Sequence, residues 1–219
     1  MKLFDLKKEI WLWLIMASPL VFLYSVWSEL PATVATHFNF NGEPDDWSSK
    51  STLAVIMAAL SLGIYLLITF IPLIDPKKKV LEMGNKYFLV KLFTTLFISI
   101  LCMFIVQSAK TSSMGEGKMI FVITGAFFAV LGNYMPAMKP NYFIGIRTPW
   151  TLENETVWRK THQLSGKLLF IAGIINMILP FLIPGNFMPV FMGISIGVPL
   201  VAVVYSYIVY KQVTADVVK

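Results

Sequence analysis

The sequence predicts an all-α integral membrane protein with six transmembrane helices and both termini in the cytoplasm. Three observations predict this class: a high apolar content, a set of long uncharged stretches, and a one-sided distribution of lysine and arginine. Of the 219 residues, 57% are hydrophobic and 14% are charged, whereas a soluble domain carries about 25% charged residues. A water-soluble globule is therefore disfavoured, and the aromatic content of 14% argues against a disordered chain.

The uncharged stretches define the helices in order. They cover residues 10–28, 51–74, 92–109, 119–138, 168–183 and 188–210. The last two belong to one run that is too long for a single crossing at about 1.5 Å per residue. Pro184-Gly185-Asn186 is a turn signal that divides this run. The first stretch is longer than a signal-peptide core and no A-x-A site follows it, so we expect a retained anchor.

Basic residues indicate the orientation. The segments on the side of the termini hold 15 of the 18 lysines and arginines, and the other side holds Lys50, Lys110 and Lys118. Cytoplasmic loops carry the excess of basic residues in membrane proteins. The net charge of +6 then reflects the excess of basic residues in the cytoplasmic segments, and we expect no direct nucleic-acid binding. Lys77-Lys78-Lys79 is interpreted as an orientation anchor on anionic membrane lipids.

The predicted spans contain no ionisable side chain, which argues against an ion-coupled transporter but leaves a pore open. Their glycines are interpreted as close-packing positions; these are Gly63, Gly125, Gly173, Gly193 and Gly197. The lone Cys102 excludes an internal disulfide and a cysteine-based zinc cluster. His37 and His162 fall on opposite sides, so they cannot share a site. We expect no metal centre and no cofactor.

The loop 29–50, predicted to be extracellular, is expected to form a short extended hairpin. β-compatible residues at 34–40 precede Asn41-Gly42, a strong turn signal. Its carboxylates would attract a cationic peptide; a divalent-cation site, or a solvated turn with aromatic rings at the interface, is the alternative. The candidate sensing residues are His37, Asn39, Gly42, Glu43, Asp45, Asp46 and Trp47.

The loop 139–167 is predicted to be cytoplasmic and structured. Pro140 and Pro149 break helices on either side of its centre. Thr151 is a candidate N-cap, and we expect a helix from near Leu152 that continues into the fifth span, with acidic residues in its first turn.

Two interpretations of the side chains in this loop stay open. Arg147, Glu155 and His162 could form an acid–base or phosphate-binding site. Alternatively, Arg147 bonds helix C-terminal carbonyls while Trp158 and His162 pack at the interface. The absence of a nearby nucleophile or metal set favours the structural interpretation. Asn133, at the end of the fourth span, is either a hydrogen-bonding anchor for this loop or a helix–helix contact.

The same stretches carry a family resemblance. Gly132-Asn-Tyr-Met-Pro136, Lys139-Pro-Asn-Tyr-Phe-Ile-Gly-Ile-Arg-Thr-Pro-Trp-Thr-Leu-Glu-Asn154 and Val157-Trp-Arg-Lys-Thr-His162, followed by Gly166, resemble the signature of the SdpI-like family of bacterial immunity proteins. Leu30-Pro31, His37-Phe-Asn39, Asn41-Gly-Glu-Pro-Asp45, Trp47 and Lys50 look like the uncharacterised module that often precedes it. The expected organisation is an N-terminal module at 1–75, a linking helix with its loops at 76–118, and an SdpI-like module at 119–219.

The resemblance implies a multi-pass plasma-membrane protein, not an enzyme, that protects a bacterium from a secreted toxin of the SdpC type. It also implies a receptor whose toxin-bound form holds a small cytoplasmic autorepressor at the membrane. The inner signature residues are Asn133, Asn141, Gly145, Arg147, Thr148, Trp150, Trp158, Thr161, His162 and Gly166. The alternatives are a membrane enzyme that acts at the cytoplasmic face through residues 139–167, and a small transporter or pore.

Overall fold

A computed structural model of the chain describes residues 5–39, 41, 43–113, 117–183 and 187–217. This part is predominantly helical. Its elements are α1 (Leu6–Ser25), β1 (Thr33–Phe38), β2 (Pro44–Ser49), α2 (Lys50–Ile74), α3 (Asn85–Thr111), α4 (Lys118–Tyr134), α5 (Pro149–Glu153), α6 (Glu155–Leu182) and α7 (Met188–Val217). Short 3-10 turns cover Leu81–Met83 and Met135–Ala137.

Within the described residues, five helices are long and apolar enough to cross a membrane. They are α2, α3, α4 with the 3-10 turn that follows it, α6 and α7. The chain is therefore a membrane protein by helix length and composition. α1 does not qualify, because its first two turns carry Lys7, Lys8 and Glu9, so the sixth crossing and the orientation stay predictions. The Pro184-Gly185-Asn186 turn lies outside the described residues.

The helices extend beyond the predicted spans at their charged ends. α3 begins at Asn85, before the predicted 92–109 span, and α6 begins at Glu155, well before residue 168. The extension brings Lys91 inside α3, and α1 likewise includes Glu9. The uncharged spans are thus the central parts of longer helices that carry ionisable groups in their end turns.

α1, α2 and α3 pack together around an apolar cluster that includes Leu23, Leu53, Met57, Cys102 and Val106. Hydroxyl groups add interhelical hydrogen bonds to this packing. Ser99 donates to the α1 carbonyl of Ile15 at 2.7 Å, and Ser61 donates to that of Met16. Such bonds are worth about 0.6 kcal/mol each between membrane helices.

α4 and α6 approach each other at backbone distance, and glycines make the approach possible. A Cβ added at Gly173 would lie 2.5 Å from the backbone oxygen of Gly125, and one at Gly132 would lie 2.6 Å from that of Gly166. The predicted packing role is confirmed for Gly125 and Gly173. It is wrong for Gly63, Gly193 and Gly197, where an added Cβ would meet nothing within 4 Å.

β1 and β2 pair antiparallel between α1 and α2, where the extended hairpin is predicted. Ala35 pairs with Trp47, and the register is irregular on either side of His37. Val34 and Ala35 are buried because β1 packs against the ends of α2 and α3. Phe40 and Gly42 lie outside the described residues, and the position of this sheet relative to the membrane stays a prediction.

Candidate functional site

Asn141 organises the first half of the 139–167 loop. Its side chain is fully buried. Its amide nitrogen donates to the carbonyls of Lys139 and Ile144 at 2.8 and 3.2 Å, and its oxygen accepts from the backbone N–H groups of Phe143 and Ile144 at 2.8 and 2.7 Å. This one side chain therefore closes the turn and pairs four backbone groups that would otherwise lack these hydrogen bonds.

His162 holds the second half of the loop against α6. Its Nε2 accepts from the backbone N–H of Ile146 at 3.1 Å, and its Nδ1 lies 2.8 Å from the carbonyl of Trp158. Because Nε2 accepts, the ring is neutral and Nδ1 donates. The ring also stacks on the Trp158 indole with centroids 3.9 Å apart. Gly145 has φ +108°, and a Cβ there would lie 2.2 Å from Nε2, so only glycine fits.

The expected start of the long helix is wrong. Thr151 is not its N-cap; it lies inside the short helix α5, where it exchanges reciprocal hydrogen bonds with the N-cap Thr148. The chain then leaves helical geometry at Asn154, with φ −129° and ψ 114°. The Asn154 side chain caps α6 by accepting from two amides of its first turn at 2.9 and 3.1 Å. Asparagine is at least as favourable as threonine at an N-cap position. Two separately capped helices, α5 and α6, therefore stand where one continuous helix was predicted.

Trp150 joins this loop to α7. Its indole N–H donates to the Ser206 hydroxyl at 2.8 Å, and its ring contacts those of Tyr207 and Tyr210 at 5.4 and 6.1 Å. Aromatic pairs of this kind contribute about 0.5–1.5 kcal/mol beyond their buried area. The loop is therefore fixed to the last helix as well as to α6.

The structure does not bring Arg147 and His162 together as one acid–base site. Arg147 is exposed and donates to the loop carbonyl of Tyr142 at 2.6 Å, and not to a helix C-terminal carbonyl. Glu155 is exposed, whereas His162 is fully buried with both ring nitrogens engaged. Asn133 is exposed on α4 and makes no side-chain hydrogen bond within the described part of the chain, so the structure does not support an anchoring role for it.

Two signature residues of α6 are buried at different kinds of contact. Gly166 lies against Gly132 and Pro136, and a Cβ on it would approach the Gly132 oxygen to 2.7 Å. Thr161 is fully buried, and its hydroxyl oxygen has no hydrogen-bond partner among the described residues. The close approach of α4 and α6 therefore leaves no room for a side chain at Gly166.

The 29–50 loop pairs its polar residues locally. His37 Nδ1 lies 2.5 Å from the Asp45 carboxylate. The Asn39 amide donates to Glu43 at 3.1 Å, while its oxygen accepts from the backbone N–H groups of Asn41 and Glu43 at 2.8 and 3.1 Å. The candidate sensing residues on the two strands thus lie opposite one another across the turn.

Two further residues of that group face solvent. Asp46 accepts a hydrogen bond from the backbone N–H of Trp47, whose ring is 46% exposed. Gly42 lies outside the described residues. At the base of the loop, Lys50 donates to the Trp27 carbonyl at 3.3 Å and lies over the Trp27 ring.

A buried ion pair joins α1 and α3, and the sequence reasoning missed it. Lys91 Nζ lies 2.8 Å from both carboxylate oxygens of Glu9, and each residue is only 4% exposed. The Tyr65 hydroxyl of α2 donates to Glu9 at 2.6 Å and accepts from the Trp13 indole at 2.7 Å. The available signal was that both charges border apolar stretches, where helices commonly continue.

These observations define the chain as a helical membrane protein with two ordered segments between its helices. The family model described as the SdpI/YfhL protein family matches residues 137–210, and one described as a domain of unknown function, DUF1648, matches residues 14–62. The matches confirm the resemblance stated from the sequence motifs.

A curated relative agrees with these matches. The chain is 26% identical over 184 residues to the immunity protein SdpI of Bacillus subtilis (strain 168), a match that covers 79% of this chain and 86% of that protein. No solved structure matches the chain.

Proposed function

We propose that this chain is a plasma-membrane immunity protein that protects a bacterium against a secreted killing-factor toxin. The similarity to the immunity protein SdpI carries the proposal. The architecture of the matched 137–210 segment supports it, because the polar side chains of its signature close the 139–167 loop and anchor it to the helices. An immunity protein needs ordered recognition surfaces rather than turnover.

The buried state of His162 supports a non-enzymatic role. A general acid or base must reach the proton that it transfers. The fully buried His162 instead bonds two backbone groups, and no group of three His, Cys, Asp or Glu side chains among the described residues is placed to hold a metal ion.

The 29–50 loop is the proposed toxin sensor. Carboxylates on a small ordered loop create a field that attracts a cationic peptide. Glu43 and Asp46 are exposed near the turn of the hairpin, and Trp47 next to Asp46 is exposed as well. Negative charge and apolar surface therefore lie side by side. The toxin class that fits is a peptide with basic and apolar residues.

The 139–167 loop is the proposed docking surface for a cytoplasmic autorepressor. Arg147 and Tyr142 are exposed on it and bonded to each other. The bond of Trp150 to Ser206 of α7 and that of the Ile146 backbone to His162 of α6 provide two routes by which a helix displacement would move this surface. Both termini then lie in the cytoplasm, as the distribution of basic residues predicts.

The buried Glu9–Lys91 pair favours one competing function, a small transporter that exports the toxin. Ionisable groups inside membrane bundles often mark ion or substrate pathways. The two proposals separate in liposomes. A transporter would move toxin or protons across the bilayer and lose this flux in Glu9→Gln, whereas a receptor would show no flux.

Survival of toxin-sensitive bacteria tests the proposal. Cells expressing the chain are exposed to an SdpC-type toxin beside Arg147→Ala, a variant with residues 37–47 replaced by a neutral linker, and the control Lys160→Gln on exposed α6 surface. We expect protection by the wild type and the control, and loss of protection with the linker. Arg147→Ala should abolish induction of a repressor-controlled reporter.

Membrane levels of all variants are compared by immunoblot. Absence of protection by the wild-type chain at normal membrane levels would contradict the immunity function. Full protection by the linker variant would contradict the sensing role of the 29–50 loop alone.

A further inference from the structure

A basic cavity lies between the start of α6, the turn after α4 and the segment that joins α2 to α3. Its volume is about 550 Å³, within the range of about 300–1,000 Å³ that small-ligand sites occupy. Its lining contains four cationic side chains, Lys79, Lys86, Lys139 and Arg159, and one carboxylate, Glu155.

Only part of this positive charge is neutralised. Glu82, beside the cavity, accepts from Lys139 at 2.9 Å and from Lys79 at 3.2 Å. The hydrogen bond from Lys139, and then that from Lys79, lowers the pKa of the Glu82 carboxyl, so it stays ionised at neutral pH. Lys86 and Arg159 have no acidic partner within the described ranges. Four cations thus face two carboxylates, Glu82 and Glu155.

The cavity combines these charges with an apolar wall. Pro136, Ala137, Pro140 and Trp158 contribute to its lining. Trp158 cannot swing into the space, because its indole N–H donates to the Met138 carbonyl at 2.8 Å and its ring stacks on His162. The cavity is therefore preformed, with cations at its rim and a fixed apolar wall behind them.

We infer that this cavity binds a phosphate-bearing anion, either the headgroup of an anionic phospholipid or a soluble phosphate. Arginine and lysine are the residues that hold phosphate in proteins. Basic pockets between membrane helices on the cytoplasmic side bind anionic headgroups, and this cavity lies on the face predicted to be cytoplasmic. The inference does not rest on the immunity function. A bound anion would connect the α2–α3 segment to the start of α6.

Thermal-shift titrations of the purified full chain in neutral detergent test the inference. The probes are a short-chain phosphatidylglycerol, phosphatidylcholine with the same acyl chains, and inorganic phosphate. The test variant is Lys86→Gln/Arg159→Gln. The control Lys160→Gln/Lys167→Gln removes the same charge from exposed α6 residues that do not line the cavity.

We expect phosphatidylglycerol to stabilise the protein through this cavity, with about tenfold weaker apparent affinity in the test variant, an unchanged affinity in the control, and a strong dependence on salt. Stabilisation by inorganic phosphate with the same variant dependence would assign a soluble anion. Equal losses in both variants, or equal binding of phosphatidylcholine, would overturn the inference. Competition by an acidic peptide with no effect of either phosphate probe would also overturn it, in favour of a protein partner.

Discussion

The bundle α1–α3 and the pair α4–α6 solve the same packing problem in opposite ways. The first buries paired polar groups between its helices beside an apolar cluster, above all Glu9, Lys91 and Tyr65, together with hydroxyl-to-backbone bonds. The second is held by backbone contact at Gly125, Gly132, Gly166 and Gly173. Lipid chains are as apolar as leucine, so helix association in a membrane needs one of these two devices.

The two halves should therefore tolerate different kinds of substitution. Polar contacts depend on charge balance and accept changes of volume nearby, whereas a glycine contact accepts no added atom but is indifferent to charge. The α4–α6 pair is also the part beneath which the 139–167 loop is anchored, so its rigidity fixes the position of that loop.

The largest expected effect breaks the polar half. Lys91→Met leaves the buried Glu9 carboxylate without its cation, which costs about 3–5 kcal/mol of the free energy of unfolding. The measurement is unfolding in mixed detergent micelles. Glu9→Gln/Lys91→Met should regain most of the loss, because no unpaired charge stays buried. A double variant as unstable as Lys91→Met would show that the loss does not come from an unpaired charge at Glu9.

The next effect breaks the close-packed half. Gly173→Ala places a Cβ 2.5 Å from the backbone of α4, and we expect a loss of about 1–3 kcal/mol because backbone cannot yield as a side chain does. The matched control Gly63→Ala enters open space and should change stability by about 0.5 kcal/mol or less. Equal effects in the same micelle assay would remove the distinction between the two halves.

A smaller effect sharpens the link between α6 and the 139–167 loop. Gly145→Ala should displace the His162 ring and strain a positive-φ position, at a cost of about 1–3 kcal/mol that is confined to the loop. Limited proteolysis should cut residues 139–154 faster, while micelle unfolding of the helices changes little. An unchanged cleavage rate would contradict the role assigned to His162.

The smallest effect concerns the attachment to α7. Trp150→Phe keeps most of the ring contacts and removes the hydrogen bond to Ser206, which is worth about 1 kcal/mol. Ser206→Ala should cost about as much, and the double variant no more than either single change. Additive losses would show that the two side chains do not interact.

Apolar runs identified the central parts of the five qualifying helices because lipid demands long uncharged stretches. The buried Glu9–Lys91 pair was not predicted, because the predicted spans were bounded so as to exclude charged residues. In the structure the two charges pair with each other inside the bundle, and Tyr65 donates to Glu9. Glycines could not be sorted by spacing alone. Gly193-x-x-x-Gly197 has the expected spacing on α7, but a Cβ added at either glycine would meet nothing within 4 Å.

The sequence identified which residues form the site but not which groups they contact. Asn141 and His162 were both singled out, yet only coordinates reveal that their bonds go to backbone. Thr151 was a plausible N-cap from sequence, and the choice between it and Asn154 depended on where Thr148 and Pro149 start a separate turn. Two N-caps six residues apart, Thr148 and Asn154, leave no periodic pattern of apolar residues in the sequence between them.

The bond between Trp150 and Ser206 also sets an order of events during synthesis. The chain leaves the ribosome from its N-terminus, so residues 139–154 are made more than fifty positions before Ser206. Asn141 finds its partners at once and His162 soon after, but the Trp150 indole waits for the last helix. Only 6% of the residues in the most apolar window of α7 are buried, so its arrival completes the loop more than it completes the core. A nascent protein without α7 would hold its other packed helices and a 139–167 loop that lacks its attachment to Ser206.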